Sequence, residues 1–439
     1  MTLDVRRSAL AEPTETPPAR WVAALVLLNL GVTAGWFGPI QVLLAEQAAL
    51  VAAGGGPSKE ASLSVVLFAG AAVSMVCNPV WGALSDRTVL RAGRRVPWVL
   101  GGVLTGAVAL LLTAQAQSLG TLVLGWCLVQ LTLNAAWAAI TAAVPDQVPV
   151  ERRGLIGGLI AVAGTVGVLV GVKIAEVTGS IASGYAVIAA TLLVLAAPYL
   201  LGSRDLALPA DHRPERPTTR DLVRSFWVSP REHPDFAWAW LTRLLVNLGN
   251  WIALNYLFYY LTDVLGFSAA QDDNVANARL GTLVMVYGVA VVLSTIVVGH
   301  WSDRVGRRKV FVIWSGVVVG SAGLLLAFFQ TWPGTVAAAV VLGIGFGIYQ
   351  AVDFALITQV LPDAAERGKD LGVINIAAAL PQVLAPAIAG AVLVAVRALG
   401  GTVRTDGDGW SLGYGVLYLL SFAICVLGSV LVTRIRGVR

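Results

Sequence analysis

The number and length of its apolar runs constrain the fold of this chain more than any other feature. A helix needs about 20 apolar residues to cross the hydrocarbon core of a bilayer. Only 13% of the residues are charged, whereas soluble proteins carry about a quarter. The sequence therefore predicts an all-α membrane protein with twelve transmembrane helices. The twelve runs lie near 21–45, 61–84, 98–117, 120–144, 155–177, 184–202, 237–261, 279–301, 310–330, 334–360, 371–397 and 411–433.

One long polar segment divides the twelve runs into two equal groups. Residues 203–235 are rich in proline and charge, which is typical of a linker rather than of a membrane helix. We therefore predict an N-terminal six-helix bundle over 21–202 and a C-terminal six-helix bundle over 236–439. Residues 1–20 form a polar tail that lacks the apolar segment of a signal peptide.

The basic residues predict the orientation in the membrane. Positively charged loops stay on the cytoplasmic side. If the N-terminus is inside, 24 of the 30 Lys and Arg residues fall in the tail, the linker, the C-terminal end and the turns after even-numbered helices. We expect a multi-pass protein of the cell (inner) membrane with both termini in the cytoplasm.

Several other classes of protein are not expected. The net charge of +5 arises from short clusters between apolar runs and not from one basic face, so nucleic acid is not an expected partner. Cys77, Cys127 and Cys425 all lie within apolar runs, which implies no disulfide framework. His and Cys spacings typical of metal sites and a Walker motif are absent from the sequence. We expect no metal, no cofactor and no enzyme activity.

A short motif at the end of the second run occurs twice. Gly82, Ser85, Asp86 and Arg87 recur 217 residues later at 299–304. An aspartate just past the end of its own helix faces an unfavourable dipole, so we expect Asp86 to meet the N-terminus of another helix. There it would act as a latch. The arginines that follow each copy have a simpler alternative role as a positive loop that sets topology.

A second pair of motifs extends the repeat. Pro145-Asp146 ends the fourth run and Pro362-Asp363 ends the tenth, again 217 residues apart. These segments continue as ERRG and ERGK. The predicted latch residues are Gly82, Asp86, Arg87, Arg94, Arg95, Asp146, Asp303, Arg304, Arg307 and Asp363.

The Asp-Arg couple followed by Gly-Arg-Arg, present twice, resembles the short-loop signature of the major facilitator superfamily. This resemblance implies two six-helix halves with a solute held near the middle of the membrane between them. It implies a cavity lined by helices 1, 4, 7 and 10. It also implies that Asp86 meets the start of helix 11 near Asp370, and that Asp303 meets the start of helix 5 near Gly154.

Three longer strings are similar to one branch of that superfamily. NPVWGALSDRT, NYLFYYLTDVLG and DFALITQVLPDAAERGKDLGVINIAAALPQVLAP resemble proton–sucrose and related solute-carrier sugar symporters, with kinship to the glycoside-pentoside-hexuronide:cation symporters. In the latter group, carboxylates in helix 2 contribute to a sodium site. The second run here contains no acid, so the resemblance favours a proton gradient as the energy source.

One carboxylate lies deep in an apolar run. Asp353 precedes Pro362 by nine residues, which places it about 13 Å inside the end of its helix. A charge at that depth is costly unless it is neutralised or paired. Arg243, in the seventh run, is the predicted partner, and the two residues form the predicted proton-coupling pair. A permanent ion pair without a role in turnover, or an arginine that extends to the interface, are the alternatives.

Neutral amides and aromatic residues cluster on the helices expected to line the cavity. Amides bond hydroxyl groups and aromatic faces cover apolar faces of a sugar ring, so this set suits a neutral sugar. Interfacial anchoring of tryptophan and hydrogen bonds between helices are the alternatives. The predicted substrate-binding residues are Asn29, Trp36, Gln41, Asn134, Trp137, Asn247, Asn250, Trp251, Asn255, Tyr349, Gln350, Asn375 and Gln382.

Three functions fit the sequence. The first is a proton-coupled symporter of a neutral sugar or glycoside that works by alternating access as a monomer. The second is a proton-coupled exporter (antiporter) of drugs or metabolites. The third is a membrane sensor that transports nothing. The partners expected for a transporter are its small-molecule substrate, protons and the lipid bilayer.

Overall fold

The computed structural model describes residues 11–57, 59–90, 92–203, 205, 207–208, 228–267, 275–362, 366–405, 407 and 409–437. Every regular element within these ranges is a helix. Eleven of the described helical segments are long and apolar enough to cross a membrane. The predicted all-α membrane fold is therefore confirmed.

The chain divides into two compact units. Unit 1 comprises Met1–Val228 and Leu361–Ile376, and unit 2 comprises Ser229–Val360 and Ala377–Arg439. Residues 361–376, which the sequence assigned to the second bundle, thus pack with the first. Most of the predicted linker 203–235 lies outside the described residues.

The helices of unit 1 follow the predicted runs. They are Ala19–Gly38 (α1), Leu44–Ala53 (α2), Lys59–Asp86 (α3), Val96–Thr113 (α4), Leu119–Gln147 (α5), Arg153–Val177 (α6) and Ile181–Gly202 (α7). Within the unit α5 packs on α3 and α4, while α1 packs on α6 and α7.

The helices after the linker repeat most of this packing. They are Pro234–Asn255 (α8), Leu257–Asp263 (α9), Val275–Val305 (α10), Arg308–Phe328 (α11), Trp332–Ile357 (α12), Arg367–Ala398 (α13) and Leu412–Val432 (α14). In unit 2 α12 packs on α10 and α11, and α14 packs on α8 and α11. The pairs α3–α5 and α10–α12 are therefore equivalent in the two units.

Two predicted continuous helices are interrupted. The run 21–45 contains a π-helical turn, Pro39–Leu43, between α1 and α2. The run 237–261 is broken at Tyr256, where ψ is 7°. Proline lacks the amide hydrogen that an α-helical ladder needs, which explains the first interruption. Tyr256 follows Pro39 by 217 residues, so the break belongs to the internal repeat although no proline marks it.

Candidate functional site

The predicted latch aspartate binds the start of another helix within unit 1. Asp86 is buried, and its two carboxylate oxygens accept hydrogen bonds from the backbone amides of Gly368 (2.9 Å) and Lys369 (2.8 Å). These amides lie in the first turn of α13, where no helical carbonyl is available to them. The positive end of the helix dipole stabilises the charge. The contact falls slightly before the predicted Asp370 because the free amides belong to the residues that open the helix.

Glycine allows the backbone of α3 to pack directly against the backbone at the start of α13. A Cβ atom on Gly82 would lie 2.0 Å from the carbonyl oxygen of Gly368. A Cβ atom on Gly372, one turn further along α13, would lie 2.4 Å from Cα of Pro79. Non-bonded atoms do not approach each other that closely. A larger residue at either position would therefore push the two helices apart.

Two buried arginines join the latch aspartate to the end of α5. Arg95 contacts Asp86 Oδ1 through Nη2 (2.7 Å) and Asp146 Oδ2 through Nε (2.8 Å). Arg94 contacts Asp146 Oδ1 at 2.6 Å. Burial lowers the pKa of the Arg95 guanidinium, but Asp146 and Asp86 outweigh that effect and raise the pKa above its usual range. Arg95 therefore stays charged and holds the two aspartates together.

The turn that carries these arginines is itself fixed by a residue of the predicted linker. The Asp205 carboxylate accepts hydrogen bonds from the backbone amides of Arg95 and, at 2.8 Å, of Val96. It thereby caps the N-terminus of α4. Gly93 has a φ of +96°, a conformation that glycine adopts readily. Sequence reasoning did not assign Asp205 a role.

Three further charged residues that the sequence did not single out complete this cluster. Arg367, at the start of α13, donates to the carbonyl oxygen of Pro145 at 2.9 Å. Arg153, at the start of α6, donates to the same carbonyl at 3.1 Å. Glu12 of the N-terminal tail contacts both arginines. The repeated ERRG and ERGK segments contain the two arginines and were the available signal.

The second copy of the motif is only partly comparable. The side chain of Asp303 and all of Asp363 lie outside the described residues. Arg304 and Arg307 are exposed, and Arg87 of the first copy is half-buried. Arg308 is instead the buried residue, 3% exposed, and its Nη1 donates to the carbonyl oxygen of Ala355 at 3.1 Å.

The predicted coupling residues meet in unit 2. Arg243 on α8 donates through Nη1 to Oδ2 of Asp353 on α12. Tyr349 lies one turn before Asp353 on α12. Asn247, one turn after Arg243, donates to the Arg243 carbonyl oxygen (2.8 Å) and to the Tyr349 hydroxyl (3.3 Å). Two residues one turn apart on each helix thus form a four-residue cluster, joined by the ion pair and by the hydrogen bond from Asn247 to Tyr349.

This cluster is buried, and one of its hydrogen-bond donors has no partner among the described residues. Asp353 is 6% exposed and Tyr349 is 1% exposed. Within the described part of the chain, Nε of Arg243 is buried without a hydrogen-bond partner. Removal of one charge from a buried pair leaves the other uncompensated. Protonation of Asp353 would therefore leave the charge of Arg243 without a compensating carboxylate.

A second polar cluster, in unit 1, links three helices. Asn134 Oδ1 accepts from Asn78 Nδ2 (2.7 Å) and Ser74 Oγ (3.1 Å), while Asn134 Nδ2 donates to the backbone and side chain of Gln130. Asn375 of α13 donates to Asn78 at 3.1 Å. Asn134 is 1% exposed. Its hydrogen-bonding atoms are occupied by protein, and the sequence had not identified Ser74, Asn78 or Gln130.

Other predicted substrate-binding residues keep unused polar atoms. The rings of Trp36 and Trp137 pack edge to face with centroids 5.6 Å apart. Among the described residues, Trp36 Nε1, Asn29 Oδ1 and Asn250 Oδ1 are buried without a hydrogen-bond partner. Each could bind a polar group of a ligand.

The rest of the predicted substrate set is dispersed. Trp251 packs against the hydrophobic core of unit 2. Asn255 and Gln350 are half-buried, whereas Gln41 and Gln382 are exposed. The described side chains contain no group of three or more His, Cys, Asp or Glu residues positioned to hold a metal ion.

These features define a class of protein: a multi-pass membrane protein with an internal repeat, a buried charged cluster at the ends of its helices and a buried ion pair in one unit. A family model for the Major Facilitator Superfamily matches residues 24–272 and 269–438. The chain belongs to this superfamily of transporters and is not an enzyme.

Two named relatives are similar to this chain at low sequence identity. The chain is 23% identical to the "Fujikurins efflux protein" of Gibberella fujikuroi over 350 residues, which cover 78% of this chain and 71% of the relative. It is 26% identical to "Multidrug resistance protein MdtG" of Salmonella paratyphi C over 249 residues, or 55% of this chain and 56% of the relative.

Two solved structures share the fold. The human organic anion transporter MFSD10 (TETRAN) matches 95% of this chain and all of that chain with a TM-score of 0.73 at 16% identity. A bacterial homologue of the iron transporter ferroportin, in an outward-facing state, matches 95% of this chain and 98% of that chain with a TM-score of 0.68 at 14% identity. The expected sugar-symporter branch finds no support in these likenesses.

Proposed function

We propose that the protein is a secondary active exporter that moves an organic solute out of the cytoplasm in exchange for protons. The observation that carries this proposal is the buried pair of Arg243 and Asp353. A transporter driven by protons needs a group that gains and loses one inside the membrane, and intramembrane carboxylates are the usual relay. The efflux and multidrug resistance proteins among the relatives favour export over the sugar uptake expected from the sequence.

The coupling step follows from the ion pair in unit 2. With Asp353 ionised, its charge is paired with Arg243. A proton on Asp353 removes the charge that balances Arg243. The hydrogen bond from Asn247 to Tyr349 and the apolar cluster that contains Val246 and Val352 then remain between α8 and α12. Protonation thus loosens one helix pair, and deprotonation tightens it.

The unused polar atoms suggest the chemistry of the solute. Asn29 and Trp36 of unit 1 and Asn250 of unit 2 each retain a buried acceptor or donor. Indole rings pack on flat apolar surfaces, and amides bond carbonyl or hydroxyl groups. From the chemistry of these residue types we propose an amphipathic organic solute with a ring system and a few polar groups. We also propose that the protein works as a monomer in the cell membrane, with both termini in the cytoplasm.

The direction of coupling provides the test. The protein is reconstituted into liposomes with an imposed pH gradient and offered a panel of fluorescent amphipathic dyes and labelled sugars. A proton antiporter accumulates its solute when the lumen is acidic, because protons leave as solute enters. A sugar symporter accumulates its solute when the outside is acidic. If a sugar accumulates when the exterior is acidic and no dye is transported under either gradient, the protein is a sugar symporter and the proposed export function is wrong.

A further inference from the structure

A carboxylate of the N-terminal tail bridges two buried arginines. Glu12 Oε1 contacts Arg367 Nη2 at 2.5 Å, and Glu12 Oε2 contacts Arg153 Nη2 at 2.7 Å. The arginine side chains are 4% and 1% exposed, but that of Glu12 is 58% exposed. One exposed tail residue therefore ties the start of α6 to the start of α13.

This bridge is removable without dismantling its surroundings. Arg153 also donates from Nε to the Val148 carbonyl oxygen at 3.0 Å and from Nη2 to that of Pro145. Arg367 also donates to the Pro145 carbonyl oxygen. Both guanidinium groups keep protein acceptors when Glu12 leaves. The tail residue itself lies in a stretch without helix, between 11 and 18.

The bridge nonetheless contacts the helix start that the latch aspartate binds. Arg367 opens the same helix whose first amides bind Asp86. Charge-assisted hydrogen bonds to buried arginines are stronger than ordinary surface pairs. Glu12 thus adds one more attachment to a helix start that Asp86, the Gly82 contact and the hydrogen bond from Arg367 to the Pro145 carbonyl oxygen already hold.

We propose that the segment around Glu12 is a detachable clamp on the latch, an autoinhibitory contact made by the chain's own tail. When Glu12 is seated, the start of α13 is held against α3 and α6. When the tail leaves, the latch opens more often. The clamp goes beyond the proposed export function and does not depend on the solute that is carried.

Cysteine labelling measures the opening directly. Leu371, the fifth residue of α13, is 2% exposed. It is replaced by cysteine in a background with Cys77, Cys127 and Cys425 changed to alanine. A membrane-impermeant maleimide then reports how often the latch opens. Glu12→Gln should raise the labelling rate by about fivefold, the effect of a coupling of modest size. Glu232→Gln, a matched change at another exposed glutamate, should leave the rate unchanged.

A double-mutant comparison shows whether the effect passes through the bridge. If Glu12 acts on Arg367, the Glu12→Gln change should add little to the labelling rate of Arg367→Gln. Deletion of residues 2–16 should match Glu12→Gln. Labelling of Glu12→Gln at the parent rate, or full additivity with Arg367→Gln, would overturn the clamp. An unchanged gel-filtration profile confirms that each variant is folded.

Discussion

Arg95 and Arg308 hold the same place in the repeated Gly-Arg-Arg motif, and both are buried. Arg95 contacts the carboxylates of Asp86 and Asp146. Arg308 donates to the backbone carbonyl of Ala355. Removal of one partner of a buried ion pair leaves the other charge uncompensated, so Arg95 is the position at which the contribution of the motif to stability can be measured.

Arg95→Lys should destabilise the protein strongly. A lysine cannot span two carboxylates as the planar guanidinium does, and breaking a buried pair costs about 3–5 kcal/mol. Thermal unfolding of the detergent-solubilised protein should show a large fall in the midpoint. Arg304→Lys, at an exposed position of the second motif, is the control and should leave the midpoint where it is. Equal midpoints in both variants would contradict the role given to Arg95.

Gly82→Ala should loosen the latch, because the new Cβ atom would lie 2.0 Å from a backbone oxygen that cannot move alone. The Leu371→Cys labelling rate should rise. Gly101→Ala on α4 is the control, since a Cβ atom there meets nothing within 4 Å. Helix propensity favours alanine by roughly 0.5–1 kcal/mol at such a site. Slower or equal labelling in Gly82→Ala would refute the close contact.

Asn134→Ala should lower the thermal midpoint of the empty protein. Asn134 accepts from Asn78 and Ser74, and loss of a buried acceptor that leaves its partners unpaired costs about 1–3 kcal/mol. Asn250→Ala should have a smaller effect on the midpoint because Asn250 Oδ1 lacks a partner among the described residues, but it should weaken solute binding. Similar midpoints for the two variants would show that the Asn134 cluster is not structural.

The sequence predicted the features that depend on local chemistry. Spanning length and low charge predicted the helices, and the dipole argument predicted that Asp86 would bind a helix start. The pairing of Arg243 with Asp353 followed from the cost of an isolated charge in the membrane. In each case the type of residue and its depth in the membrane leave only a few possible interaction partners.

Features that depend on distant placement were not predictable. Glu12 reaches residues 141 and 355 positions away, and no local pattern indicates either contact. Whether Asn134 faces a solute or a neighbouring helix depends on the rotation of α5, which a run of apolar residues does not specify. The break at Tyr256 is visible only by comparison with Pro39, because no glycine or proline marks it.

Asp353→Asn tests directly whether Asp353 couples proton movement to solute export. Asparagine resembles the protonated acid but cannot release a proton, so the variant should lose accumulation driven by a pH gradient. It should still exchange solute down its own gradient, because the protein remains able to change conformation. The matched variant Asp263→Asn removes an acid of α9 that accepts a hydrogen bond from Tyr414 at 2.9 Å and should keep gradient-driven accumulation.

The decisive measurement is solute accumulation in proteoliposomes under an acidic lumen, for the parent, Asp353→Asn and Asp263→Asn in parallel. We expect accumulation above equilibrium in the parent and in Asp263→Asn, and equilibration without accumulation in Asp353→Asn. Full accumulation by Asp353→Asn would contradict the coupling role of Asp353 and leave its pair with Arg243 as a structural contact alone.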